Sequence, residues 1–106
     1  MKTQRRPERR PRGLFPLGAT VMTRGVADAI DTIPTMAEDV VAMIRRHVTG
    51  DWGTLLCAED RQANDDAIRD GDRIVSKYLP PRGGPAVYVI TEADRSVTTV
   101  LLPAEY

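Results

Sequence analysis

At Asp72 the hydrophobic period of this chain changes, and with it the kind of backbone the sequence can form. Upstream, Met36, Val40, Ile44 and Val48 recur at four-residue spacing with Val41 alongside, which predicts an amphipathic helix. Thr35 and Glu38 read as a capping box at its start and Gly50 as its stop. A second helix is expected from Ala58 to Arg69, closed by Asp70-Gly71, and a brief one from Thr23 or Arg24 through Ile30, ending before Pro34. Residues 19–23 suit a short edge strand.

Downstream of Asp72, β-branched residues accumulate in Arg73 to Tyr78, Ala86 to Glu92 and Val97 to Leu102, separated by the loop Pro80 to Pro85 and the turn Ala93 to Ser96. The expected fold class is therefore α+β, with N-terminal helices packed on a C-terminal three- or four-stranded antiparallel meander. A turn centred on Asp94-Arg95 puts Val87, Val89, Val100 and Leu102 on one face. Tyr88, Ile90, Thr99 and Leu101 then share the other, which is half apolar and hints at a partner surface.

The 106 residues suit one small domain over 14–106, preceded by a basic arm, 1–13. Net charge is zero but unevenly placed. Lys2, Arg5, Arg6, Arg9, Arg10 and Arg12 against Glu8 give the arm +5, and 9 basic against 14 acidic side chains leave the rest at −5. Pro7 and Pro11 favour an extended, disordered arm whose arginines suit nucleic-acid phosphates or an acidic protein face. A solubilising tail, or an upstream start with Met22 as the alternative, is the plainer reading. One Cys, Cys57, excludes an internal disulfide, and with one His it cannot complete a structural zinc site. No cofactor or metal is expected; Asp65, Asp66, Asp70 and Asp72 match no calcium loop. No apolar run approaches the roughly 18 residues that cross a bilayer, and Pro16 and Gly18 break any signal-like segment, so no membrane contact and a cytoplasmic location are expected.

His47-Val48-Thr49-Gly50-Asp51-Trp52-Gly53, then Glu59-Asp60-Arg61 and Asn64, then Ile90 to Tyr106, resemble an uncharacterised bacterial family of plasmids and other mobile elements, usually labelled "plasmid-related protein". The resemblance covers roughly 14–106 and leaves out the arm. Tyr88 stands where members often carry Trp, and Lys77 interrupts a usual small residue. The resemblance implies an accessory or regulatory binding module of mobile elements, acting through protein or nucleic-acid contacts. Some members are labelled type I restriction endonuclease subunit M. That chemistry needs a nucleotide-type α/β domain with a Gly-rich loop and an aromatic Pro-Pro motif at a flipped base, and this sequence has neither.

Two constellations suit chemistry. His47, Asp51, Glu92 and Arg95 supply an imidazole, two carboxylates and a guanidinium, the groups a small metal-independent ribonuclease of the toxin type uses as acid, base and phosphate anchor. Each also has a plain role: His47 at a helix C-terminus, and Asp94 with Arg95 in a polar turn. Trp52, between Gly50 and Gly53, suits either base stacking or closure of the core. Glu92, Asp94 and Arg95 form the second candidate binding cluster, with Arg95 favoured as an anchor for phosphate or partner.

Overall fold

The computed structural model describes residues 13–106; the arm arginines Arg5, Arg6, Arg9, Arg10 and Arg12 lie outside the described residues. Strand β1 (Ala19–Met22) leads into three helices, α1 (Arg24–Thr32), α2 (Met36–Val48) and α3 (Ala58–Asp70). Strands β2 (Ile74–Tyr78), β3 (Val87–Thr91) and β4 (Val97–Leu101) follow, and a 3-10 turn spans Pro103–Glu105.

The fold is α+β, and its four-stranded sheet has the order β1-β4-β3-β2. The C-terminal strands form the expected antiparallel meander, with Tyr88 opposite Leu101 and Val89 opposite Val100. The purely antiparallel expectation is corrected by β1, which lies parallel to β4 with Val21 opposite Thr99. Nor do all the helices precede the sheet, because β1 comes before them and belongs to it. A four-residue strand carries no mark of direction. Its orientation is set by the crossover through α1, α2 and α3, which returns the chain to the far side of the meander.

Helix boundaries follow local chemistry, with one exception. Gly71, at φ 77°, ends α3 in the left-handed conformation that glycine adopts without a Cβ penalty. The Thr35–Glu38 capping box does not form: Thr35 makes no side-chain cap bond, and Glu38 instead lies 3.6 Å from Arg82. The buried stripe of α2 is also rotated from the expected one. It runs through Met36, Asp39, Val40, Met43 and His47, while Val41 is exposed. The sheet supplies polar partners for His47 that an apolar count could not register.

Period-two alternation divides the sheet into an inner and an outer face. On the inner face, Val26, Ala29, Met36, Val40 and Met43 from α1 and α2 pack on Tyr78, Val87, Val89 and Val100. A second inner cluster joins Phe15, Trp52, Ala67 and Ile74 beside α3. His47 links the two: it projects from α2, and its ring meets Phe15 and Trp52 edge-on at 5.3 and 5.9 Å. The outer face carries Val75, Lys77, Tyr88, Ile90, Thr99 and Leu101, none of which belongs to either helix-packed cluster.

Candidate functional site

His47 is fully buried, and the hydrogen bonds around it assign its protonation. Thr98 donates to the Leu17 carbonyl at 2.7 Å, an oxygen that can only accept. Thr98 Oγ1 therefore accepts from Thr91, 2.7 Å away. The Thr91 hydroxyl proton is then committed, so Thr91 accepts from His47 Nε2–H at 2.9 Å. That leaves Nδ1 to accept from the Ser76 hydroxyl at 2.6 Å. Every member is satisfied with a neutral ring, and burial pushes the His47 pKa down to about 4. The imidazole cross-links α2, β2, β3 and β4 from inside.

Thr91 points inward to His47, and its neighbour Glu92 points to the opposite side of the sheet, as successive strand residues must. Glu92 accepts there from Arg73 Nη2 and Nε at 3.2 and 3.3 Å. His47 and Glu92 thus stand on opposite sides of the sheet, where one phosphate cannot meet both. Asp51 is bound at 2.7 and 3.1 Å by the Arg46 guanidinium, which lowers its pKa, and it also accepts from the Gly53 N–H. The four groups expected to act together are not brought together.

Arg95 is spent on its own chain. Its guanidinium donates to the carbonyls of Ala67 at 2.9 Å, Asp72 at 2.6 Å and Glu92 at 3.2 Å, and lies 5.6 Å over the Phe15 ring. Ala67 sits in the last turn of α3, so a hairpin residue places positive charge on the helix C-terminus. The Arg95 backbone takes φ 60°, unusual for a residue with a Cβ. Asp94 accepts from the Ser96 N–H and hydroxyl, which hold its carboxyl below its ordinary pKa. The turn is a clamp between β3, β4 and α3.

Trp52 is buried, stacks on Phe15 with 6.3 Å between centroids and donates its indole N–H to Asp65 at 2.9 Å. Its ring presents no face to a base, and the core-closing reading describes it. Of the acidic residues near α3, Asp65 is engaged by Trp52 and both Asp66 and Asp70 by Arg69. Among the described residues no three His, Cys, Asp or Glu side chains converge to hold a metal ion, and no helix is long and apolar enough to cross a membrane.

The motif residues also seal the β2 edge of the sheet. Asn64 Nδ2 donates to the Val75 carbonyl at 2.7 Å and its Oδ1 accepts from the Val75 N–H at 3.0 Å, replacing a missing neighbouring strand. Two residues on, the Lys77 N–H reaches the Trp52 carbonyl. Gly53 approaches so closely, at φ 88°, that a Cβ there would collide with the Lys77 carbonyl oxygen. The Tyr78 hydroxyl closes the row on the Asp51 carbonyl at 2.6 Å.

The outer face is the one the helices do not pack on: Ile90 and Leu101 are buried there all the same, Val75, Lys77, Tyr88 and Thr99 are half-buried, and Tyr106 is exposed. Tyr88 packs against Tyr106 at 5.0 Å between centroids, and the Lys77 ammonium lies 5.1 Å from the Tyr88 ring. Beside them a cleft of about 320 Å³ runs between α3 and β2, lined by Asp60, Ala63, Arg73, Val75 and the two tyrosines. Tyr88, Ile90, Thr99 and Leu101 are the expected outer set. Val75, Lys77 and Tyr106 join that set, and β2 alternates clearly, with Ile74, Ser76 and Tyr78 buried. Comparison of the chain with family models, curated proteins and solved structures returns no match.

Proposed function

We propose that this chain is a binding module without catalytic activity, which docks a protein partner on the outer face of its sheet. The observation that carries the reading is the division of labour between the faces. The side chains suited to chemistry are engaged by partners of their own chain, while the outer face offers Tyr88, Tyr106 and Lys77 beside a cleft. Accessible aromatic side chains beside a cleft are the anchors that protein-binding surfaces favour. The family resemblance supports placing this module among accessory or regulatory proteins of bacterial mobile elements, acting in the cytoplasm.

A photo-crosslinking residue at position 88, in cells carrying the mobile element, tests the reading. A discrete protein adduct is expected there, none from the same residue at exposed position 41, and loss of the adduct in Lys77→Glu. Equal labelling from both positions overturns it. Purified protein should leave RNA intact. Cleavage that His47→Gln abolished would restore the ribonuclease reading.

The basic arm favours a second reading, nucleic-acid contact outside the sheet, because +5 is concentrated in residues 1–13. Gel shifts of the full chain and of 14–106 separate the two. If the arm binds, its removal should flatten the logarithmic salt dependence by about four to five. Unchanged binding and slope would rule the arm out.

A further inference from the structure

The two edges of the sheet are treated in opposite ways. Asn64, Trp52 and Gly53 cover the edge at β2, whereas β1, the other edge, is exposed along all four residues. Ala19 N–H donates to Ser96 and Thr23 N–H to Val100, so alternate residues of β1 face β4. The N–H and C=O groups of Thr20 and Met22 therefore point away from the sheet. Exposed strand edges are ordinarily guarded by lysine, proline, a bulge or an inward charge. The strand Ala-Thr-Val-Met has none of these.

We propose that β1 is a self-association edge, at which a second copy of this chain adds its own β1 in antiparallel register and joins the two sheets into one of eight strands. The outward groups fit a two-fold axis through Val21. Thr20 then faces Met22 of the second copy, both carry outward N–H and C=O groups, and each such pair exchanges two hydrogen bonds. The two Val21 side chains, each half exposed, meet across the axis. With no charge on the strand, self-pairing meets no repulsion.

Charge at the strand ends is complementary under the same operation. Arg24, exposed and in no ion pair among the described residues, follows the C-terminal end of β1. The N-terminal end is held against the 94–96 turn by the Ala19–Ser96 bond, and Asp94, also exposed, belongs to that turn. Antiparallel pairing brings the Arg24 end of each copy to the Asp94 end of the other. This is an isologous contact, closed after two copies. It uses the edge of the sheet rather than the outer face, and it stands whether or not that face binds a partner.

Sedimentation equilibrium of the full chain from about 5 to about 500 μM tests the proposal, the range suiting a small transient interface. The expected result is reversible association to twice the 11.7 kDa chain mass. Thr20→Pro removes one outward N–H while leaving the bonds to β4 intact, and should give a monomer with an unchanged melting temperature. Should the proline variant unfold, Val21→Lys opposes like charges at the axis and should also be monomeric. Arg24→Glu, which reverses the end charges, should raise the dissociation constant about 5- to 10-fold. A wild-type chain that stays monomeric throughout the range overturns the proposal, as does a dimer that survives in both Val21→Lys and a folded Thr20→Pro.

Discussion

The two faces of this sheet use polar residues in opposite ways. Inside, Ser76, Thr91 and Thr98 are buried yet fully paired, because His47 and the Leu17 carbonyl complete their hydrogen bonds. Outside, Lys77 and Tyr88 interact only loosely with their own sheet, and Tyr106 leans on Tyr88 while remaining mostly exposed. A buried polar chain specifies how helices and strands register, since a shift of any member strands a donor or acceptor in the core. Around the buried Ile90 and Leu101, the half-buried Lys77 and Tyr88 and the exposed Tyr106 are free to be shaped by a partner. In this protein, residue types that resemble catalytic machinery are the ones committed to stability.

The largest effect is expected where backbone meets backbone. Gly53→Ala adds a Cβ at positive φ against the Lys77 carbonyl, and should cost about 3 kcal/mol or more in chemical denaturation while loosening the seal on β2. A cost below about 1 kcal/mol would mean that this loop does not guard the edge.

Next in size is the response to acid. His47 titrates near 4 in the folded chain against about 6.5 when unfolded, so between these values the unfolded state binds more protons. The His47 contribution is complete above about pH 6.5. It is lost as pH falls, to a total near 3 kcal/mol at pH 4 and below. Asp51, Asp94 and Glu105, whose carboxyl pKa values are also lowered, extend the acid sensitivity below their ordinary carboxyl values, under most of that window. Subtracting the pH profile of His47→Gln isolates the histidine, and identical profiles would show that the ring is not held neutral by burial.

Arg95→Ala should cost about 2 kcal/mol, since three carbonyls lose a charged donor, partly offset where exposed oxygens regain water. A thermal melt indistinguishable from wild type would return Arg95 to the role of an external anchor. The smallest effect on folding belongs to Lys77→Glu, expected to change stability by less than about 0.5 kcal/mol while abolishing partner capture. Loss of stability and binding together would erase the distinction between the faces.

The period change at Asp72 located the meander, and the central position of Asp94-Arg95 gave the observed pairing of β3 with β4. The α3 stop at Gly71 was equally legible. These features depend on neighbours a few residues apart, and side-chain direction in a strand is tied to sequence parity. The role of His47 was not legible, because its partners lie 29 and 44 residues away. Nor was that of Asn64, since an exposed polar helix residue and one that completes a strand edge look alike until the strand is in place.

The candidate site divides along the same line. That Tyr88, Ile90, Thr99 and Leu101 share a face follows from the residue order, because alternation is a property of one chain segment. That α1 and α2 pack on the opposite face, that β1 lies parallel to β4, and that Arg95 turns inward to α3 is settled only in the folded chain. Those outcomes rest on long-range contacts, in which each group's role is set by the partner that folding brings to it.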